Sequence, residues 1–243
     1  MSDLKINNIT DRTGDSGPVI AGICTVSSGE FVVPVGPTEY RGGRGRGVFA
    51  GGIDPAFVTT MDYIEIPSTG NAVDFGDISA AAQPRDSGST SSTRGVFGLG
   101  NSDGEVSTMN YVTISSQGGV TDFGDMTEAL SYFGGASNNT RGFIYGGYNN
   151  PAPSINVIQY ITMATLGNAT DFGDSTATAA EWGGTSNNIR GVFGSANAPS
   201  APYRFNHIDY ITIASTANAA AFGDLTTARS GAAAMGDAHG GLG

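Results

Sequence analysis

The side chains of this sequence that could do chemistry are mostly aspartates, and they recur in one short motif. Asp-Phe-Gly-Asp occurs intact at residues 74–77, 122–125 and 171–174. In protein kinases an Asp-Phe-Gly motif binds magnesium, but it acts together with a glycine-rich loop, a strand lysine and a catalytic-loop motif, and none of these accompanies it here. The pattern instead indicates a structural motif, in which Phe fills the space between packed sheets, Gly lets two backbones approach and Asp caps a turn.

Each motif contains a pair of aspartates, such as Asp122 and Asp125, so calcium binding is an alternative to a structural role. Ca²⁺ takes about six to eight oxygen ligands, and the repeats have neither the spacing of an EF-hand loop nor enough acids for four symmetric sites. We therefore predict neither a metal nor a cofactor. The favoured role for the aspartates is a salt bridge to an arginine of a neighbouring strand or repeat, because bidentate arginine-carboxylate pairs suit partly buried positions.

Residues that could act in acid-base or nucleophilic catalysis are few and scattered. His207 lies in a loop before a strand, His239 lies in the C-terminal tail, and neither has a Gly-x-Ser-x-Gly motif nearby. Cys24 lies in an apolar stretch, where a buried, unreactive thiol is the usual interpretation. The repeats differ from one another in loop content rather than in acid-base groups, so we predict that the protein is not an enzyme and has no catalytic residues.

The elements that position these residues belong to an internal repeat with four copies. A tetrad that opens with Arg-Gly begins at Arg46, Arg94, Arg141 and Arg190, at spacings of 48, 47 and 49 residues. A block with a central tyrosine begins at Asp62, Asn110, Gln159 and Asp209. The third block is the Asp-Phe-Gly-Asp motif, whose fourth copy begins with Ala221 instead of aspartate. Three blocks that keep one order and one period indicate a repeat architecture.

Each repeat is predicted to contain four short strands. They are the Arg-Gly strand, the tyrosine strand, the Asp-Phe-Gly-Asp strand and a small-residue strand such as 131–136, in that order. The 38 glycines and the single lysine leave little material for helices. Four strands in about 48 residues is the size of a propeller blade. We predict an all-β fold, a small β-propeller of about four kelch-like four-stranded blades over residues 41–243.

The two ends of the chain are predicted to have roles outside the four repeats. Residues 239–243 resemble a degenerate fifth start, which we expect to close the ring by completing the first blade. An open stack of repeats, or blades completed by a neighbouring chain, remains the alternative. Residues 1–40 do not repeat and are predicted to form a short N-terminal β arm for attachment.

Charge and hydropathy exclude several kinds of partner. The chain has 22 acidic and 11 basic residues and a net charge of −11, which argues against a nucleic-acid groove. Its apolar runs are far shorter than the roughly 18 residues of a membrane helix, so we expect no membrane insertion. Residues 1–8 lack a basic region followed by an apolar one, which predicts synthesis in a cytoplasm without a secretory signal.

Two groups of residues are the candidate sites. The first group contains the arginines, phenylalanines and aspartates that recur in the repeats and are predicted to hold the strands together: Arg46, Arg94, Arg141, Arg190, Phe75, Phe123, Phe172, Phe222, Asp77, Asp125, Asp174 and Asp224. The second group contains aromatic residues of divergent segments that could stack on a sugar or a partner surface: Tyr148, Tyr203, Phe205 and Trp182. For Trp182 we favour packing between blades, because it replaces an ordinary strand position.

The repeat strings are clearest at 190–193, 209–213, 167–174 and 226–231. They resemble the kelch-like repeats of virion proteins from tailed phages, notably phages of marine bacteria and cyanobacteria. The resemblance covers roughly residues 41–243, with Ala221 and Phe143-Ile144 as departures from the pattern. Residues 4–15 are similar to the N-terminal lead of tail-fibre-like structural proteins. Such proteins occur as fibres, as neck or tail appendages and as capsid ornaments, so the resemblance does not specify a position on the particle.

The resemblance implies a structural virion component in many copies. Residues 1–40 would dock on other virion proteins and the propeller would face outward, with a homo-oligomer as a further expectation. A second hypothesis is a receptor-binding module that holds host-surface carbohydrate through the loops at Tyr148 and Tyr203. A cellular kelch-type interaction adaptor is disfavoured, because such adaptors usually carry a second, assembly domain.

Overall fold

The computed structural model describes residues 45–84, 88–101, 104–150 and 152–236. These residues form fifteen β-strands and no helix. The strands group into four antiparallel sheets, in which neighbouring strands follow the order of the chain. The all-β, four-blade, propeller-like fold predicted from the sequence is therefore confirmed.

The strands fall into blades as follows. The first blade contains β1 (Arg46–Ala50), β2 (Val58–Glu65) and β3 (Val73–Ala82). The second contains β4 (Gly88–Thr90), β5 (Arg94–Gly98), β6 (Val106–Thr113) and β7 (Thr121–Leu130). The third contains β8 (Gly134–Ser137), β9 (Arg141–Asn149), β10 (Ala152–Thr162) and β11 (Thr170–Asp174). The fourth contains β12 (Gly183–Ser186), β13 (Arg190–Gly194), β14 (His207–Thr212) and β15 (Ala220–Asp224).

The small-residue strand opens the second, third and fourth blades, so the predicted position at the end of a blade is wrong. In β8, Gly134 pairs with Tyr145 of the strand that follows, not with the strand that precedes it. The reason lies in the short link between β8 and β9. Asn138 Oδ1 accepts hydrogen bonds from the main-chain N–H groups of Thr140 and Arg141, at 2.9 and 2.8 Å. This side-chain turn folds the two strands into a local hairpin.

The Asp-Phe-Gly motif forms a β-bulge in every blade. In the second blade Met109 pairs with Gly124 and Asn110 pairs with Asp122, which leaves Phe123 as the extra residue of β7. The same register shift occurs in the other three blades. Gly124 has a φ of 133°, a backbone conformation that residues with a side chain rarely adopt. Asp122 Oδ1 accepts a hydrogen bond from the Gly124 N–H at 3.2 Å and so stabilises the bulge.

The bulge glycine also brings the backbones of two blades together. A Cβ atom on Gly124 would lie 2.5 Å from the carbonyl carbon and oxygen of Gly167, which belongs to the turn between β10 and β11 of the next blade. The same approach recurs between Gly76 and Gly118 and between Gly173 and Ala217, at 2.6 Å. No side chain fits at these positions without moving main chain.

The hydrophobic core lies between the blades. Each of three clusters of buried residues combines side chains from two successive blades. The bulge phenylalanines Phe75, Phe123 and Phe172 belong to these clusters and are 2%, 2% and 3% exposed. Each contacts the tyrosine of its own blade edge to face, as in the Tyr63–Phe75 pair with ring centroids 5.9 Å apart. The fourth-blade copy, Phe222, is 54% exposed, because among the described residues no further blade covers it.

Ring closure and the N-terminal arm remain predictions. Residues 1–40 and 239–243 lie outside the described residues, as does the predicted boundary at residue 41. Among the described strands, none of the first blade is hydrogen-bonded to a strand of the fourth blade.

Replacing Gly124 with alanine should destabilise the protein more than replacing Gly167 does. Both glycines have positive φ, 133° and 148°, so both variants strain the backbone by about 1–3 kcal/mol. Only the Gly124 Cβ would meet main chain of the next blade, and we expect this to cost roughly a further 2 kcal/mol. Urea unfolding of the two variants measures the difference, and equal losses would contradict the proposed backbone contact.

Candidate functional site

Each tetrad arginine stacks on a tyrosine of its own blade. The guanidinium carbons of Arg46, Arg94, Arg141 and Arg190 lie 4.3, 4.9, 4.5 and 4.8 Å from the centroids of the rings of Tyr63, Tyr111, Tyr160 and Tyr210. These distances are within the range of cation–π interactions. The contact holds each guanidinium over a tyrosine of the neighbouring strand.

The first three tetrad arginines also reach the next blade. Their Nη1 atoms donate hydrogen bonds to main-chain carbonyls, Arg46 to Ile114 at 3.0 Å, Arg94 to Met163 at 3.0 Å and Arg141 to Ile213 at 2.6 Å. These carbonyls follow the last residues of β6, β10 and β14, where the strand ladder no longer supplies a donor. Arg190 is exposed, and no described residue accepts a hydrogen bond from its guanidinium, although its main-chain N–H donates to Asn187 Oδ1 at 2.7 Å.

The predicted arginine–aspartate salt bridges are therefore wrong for Arg94, Arg141 and Arg190. The described ion pair of the tetrad joins Arg46 to a glutamate, Glu65 of the neighbouring strand, at 2.8 Å. The aspartates of the repeats are engaged locally instead. The first aspartate of each intact motif accepts a hydrogen bond from the bulge glycine. Of the second aspartates, Asp77 accepts one from Thr59 Oγ1 and Asp125 one from Ser107 Oγ.

The second aspartates also use their main chain to hold the next blade. The N–H of Asp125 donates to Asn168 Oδ1 at 3.0 Å, and the N–H of Asp174 donates to Asn218 Oδ1 at 3.0 Å. Their carbonyls accept from Ala169 and Ala219, each at 2.8 Å. Asp224 is exposed at the end of the array and has no such partner among the described residues.

Sequence reasoning missed a further set of inter-blade residues, the polar residue just before each strand tyrosine. Asn110, Gln159 and Asp209 are completely buried. Asn110 Oδ1 accepts hydrogen bonds from Ser79 N and Oγ of the preceding blade, at 3.1 and 2.8 Å. Gln159 Oε1 accepts from Thr127 N at 2.7 Å. A polar residue at the same place in every apolar strand is the signal that could have revealed this role.

Of these three buried residues, Asp209 accepts the most side-chain hydrogen bonds. Its Oδ1 accepts a hydrogen bond from Thr176 Oγ1 at 2.7 Å, and its Oδ2 accepts from Thr176 N at 3.1 Å and from Tyr145 Oη at 2.7 Å. Burial, and to a lesser extent the charge and the hydrogen bond of the Asp209 carboxylate, raise the pKa of Tyr145 well above its usual range. The carboxylate is satisfied by protein donors and closed to solvent, so it can hold two blades together but cannot meet a substrate.

His207 lies beside this cluster in an aromatic environment. Its ring centroid is 5.7 Å from that of Trp182 and 4.6 Å from that of Phe205, and its Nε2 is buried without a hydrogen-bond partner. The second histidine, His239, lies outside the described residues. Where the structure describes side chains, no three His, Cys, Asp or Glu residues are grouped closely enough to hold a metal ion.

A cavity of about 370 Å³ lies between the first two blades. Its walls are formed mainly by glycines and apolar side chains, including Val48, Val96 and Val112, with Arg46 as its charged residue. Among the described residues that line it, none is a histidine, an acidic residue or a cysteine.

The four candidate aromatic residues occupy different environments. Trp182 is 1% exposed, its Nε1 donates to Ala179 O at 3.1 Å, and its ring contacts Tyr145 edge to face at 5.1 Å. Packing between blades is therefore its role. Phe205 packs against the same core cluster, and Tyr148 is half-buried. Tyr203 is 61% exposed and is the member of the set that offers a ring to solvent.

No protein-family model matches the chain, and comparison with curated protein sequences finds no match either. Across the part of the chain that the structure describes, no helix has the length and apolar character needed to cross a membrane.

Replacing Tyr145 with phenylalanine should make stability less sensitive to alkaline pH. The raised pKa keeps Tyr145 protonated in the folded state while the unfolded chain loses this proton above about pH 10. Its contribution is therefore complete below that pH and is lost as the pH rises toward the folded-state pKa. At neutral pH the variant should lose about 1–3 kcal/mol, because Asp209 loses a donor.

Urea unfolding at neutral pH and at several pH values above about 10 measures both effects. The matched control is Tyr203→Phe, which removes a hydroxyl from an exposed ring. A Tyr145→Phe variant with the wild-type pH profile would contradict the assignment.

Proposed function

We propose that this chain is a non-catalytic structural component of a tailed-phage virion. Residues 1–40 dock on other virion proteins, and the blades are displayed outward. The main support for a structural role is that the recurrent polar residues form contacts within and between blades. The first three tetrad arginines and the residues Asn110, Gln159 and Asp209 join one blade to the next, and the first aspartate of each intact motif braces a bulge. The assignment to a virion rests on the sequence resemblance.

The electrostatics of the described blades support a scaffold rather than an enzyme. The one carboxylate that is completely buried, Asp209, is saturated by three protein hydrogen bonds within the described residues. The first aspartates of the intact motifs are exposed and brace the bulges at regular intervals. A rigid repeated body that presents variable loops is well suited to display.

A second candidate function, recognition of host-surface carbohydrate, is favoured by one observation. Tyr203 is 61% exposed in the loop between β13 and β14, the longest of the divergent loops singled out in the sequence. Its neighbours Pro202 and Arg204 are also exposed, so a ring and a charged donor face solvent together. Stacking of a sugar on the ring with hydrogen bonds from the arginine is the usual chemistry of such a surface.

Cryo-electron microscopy of intact particles that carry the protein tests the virion role. We expect density for the blades outside the particle and for residues 1–40 ordered against a neighbouring virion protein. If particles lack the protein, or if residues 1–40 are free of the particle, the proposal fails.

Binding of the purified protein to an array of bacterial surface glycans tests the second role. Tyr203→Ala should weaken binding at least about tenfold, because it removes the stacking surface. Tyr148→Ala is the matched control, since Tyr148 is half-buried and not presented to solvent. An array with no bound glycan, or equal binding by Tyr203→Ala and wild type, would refute carbohydrate recognition through this loop.

A further inference from the structure

The inter-blade interfaces inside the chain are built to one pattern. The turn before the last strand of one blade docks on the bulge strand of the blade before it. Between the second and third blades, Gly167 N donates to Phe123 O and Ala169 N donates to Asp125 O, each at 2.8 Å. The hydrogen bond from Arg94 to the Met163 carbonyl, the buried Gln159 that accepts from Thr127 N, and the buried Phe123 complete the same interface. Every interface therefore has a bulge-strand side and a turn side.

The fourth blade presents a bulge-strand side that no described residue covers. Phe222 is 54% exposed, whereas its three copies are 2–3% exposed. A Cβ on Gly223 would meet no described atom within 4 Å, although the three equivalent glycines each touch the next blade. Arg190 stacks on Tyr210 like its copies, but its guanidinium has no described carbonyl to bind. We call this surface the tail face.

The first blade presents the complementary turn side. Its turn Gly70-Asn71-Ala72 is exposed and has the same sequence as Gly167-Asn168-Ala169, which docks inside the chain. Ile66 is 65% exposed, whereas its copies Met163 and Ile213 are 1% and 2% exposed. Asp62 occupies the place of Asp209, and no described side chain or N–H group donates a hydrogen bond to its carboxylate. We call this surface the head face.

The two faces do not meet within one chain. A Cβ on Gly70 or on Gly223 would find no described atom within 4 Å. Neighbouring sheets also touch along both edges, at the bulge glycines and at the opening strands, where Ser186 Oγ donates to Ser137 O at 2.6 Å. The described residues thus leave one half-interface without a partner at each end of the array.

We propose that the tail face of one molecule binds the head face of a second copy of this chain. The interface would continue the internal pattern. The Arg190 guanidinium donates to the carbonyl of Ile66, Asp224 N donates to Asn71 Oδ1, and Asp62 accepts from Thr226. Phe222 and Ile66 become buried, as their copies are inside the chain. This inference does not depend on the virion role, because it rests on contacts repeated within the chain.

The geometry of this contact is heterologous, because two different surfaces meet. Such contacts form rings when the rotation between molecules closes and filaments when it does not. Each added molecule leaves one head face and one tail face open until a ring closes.

Sedimentation velocity of the full-length protein, from low to high micromolar concentration, tests the proposal. Wild type should grow in size with concentration. Phe222→Asp should block the tail face and Ile66→Asp the head face, each weakening association at least about tenfold, because an apolar contact is lost and a charge is left at the interface. Leu166→Asp is the matched control, since Leu166 is 54% exposed but lies on the third blade, and it should associate like wild type.

Mixing the two blocked variants separates this interface from other kinds of association. Phe222→Asp retains an intact head face and Ile66→Asp retains an intact tail face, so an equimolar mixture should form dimers that contain one molecule of each. Circular dichroism of each variant verifies that the fold is retained. A wild type that stays monomeric at every concentration, variants that associate like wild type, or a mixture that stays monomeric would each overturn the proposal.

Discussion

The close approach of two backbones at each bulge glycine is the constraint on which the rest of the structure depends. A sheet edge with side chains at that position could not come within hydrogen-bond distance of the next turn. Because Gly124 has no Cβ, the carbonyls of Phe123 and Asp125 receive the N–H groups of the following blade. The same bulge turns Phe123 into the space between the sheets, where it supplies part of the core. Backbone geometry and hydrophobic burial therefore come from one short motif.

Much of the fold follows from the sequence because its determinants are local and repeated. The glycine of the bulge, the aspartate that caps it and the phenylalanine beside it all have the roles that the motif indicates. The place of the small-residue strand was not predictable in the same way. Its pairing partner depends on the hairpin turn made by Asn138, and the same strand pattern fits either neighbouring sheet.

The candidate site was harder to predict because its contacts join residues far apart in the chain. Arg94 and Met163 are brought together only by the packing of one blade on another, so the acceptor of the arginine is a main-chain carbonyl that no side-chain pattern reveals. An aspartate partner was reasonable on charge alone. The local bulge, however, already occupies the first aspartate of each intact motif, and a carbonyl at a strand end needs a donor.

The buried hydrogen-bond acceptor is a different residue type at each of the three inter-blade interfaces. The first interface has the short amide side chain of Asn110, the second the longer amide side chain of Gln159 and the third the carboxylate of Asp209. Nearly identical repeats risk stacking in the wrong order during folding, since their apolar faces are interchangeable. A blade placed one position out of order would bring a side chain of the wrong length or charge to a buried donor, and an unsatisfied polar group there is costly. The changing acceptor thus favours the correct succession of blades over a shifted one.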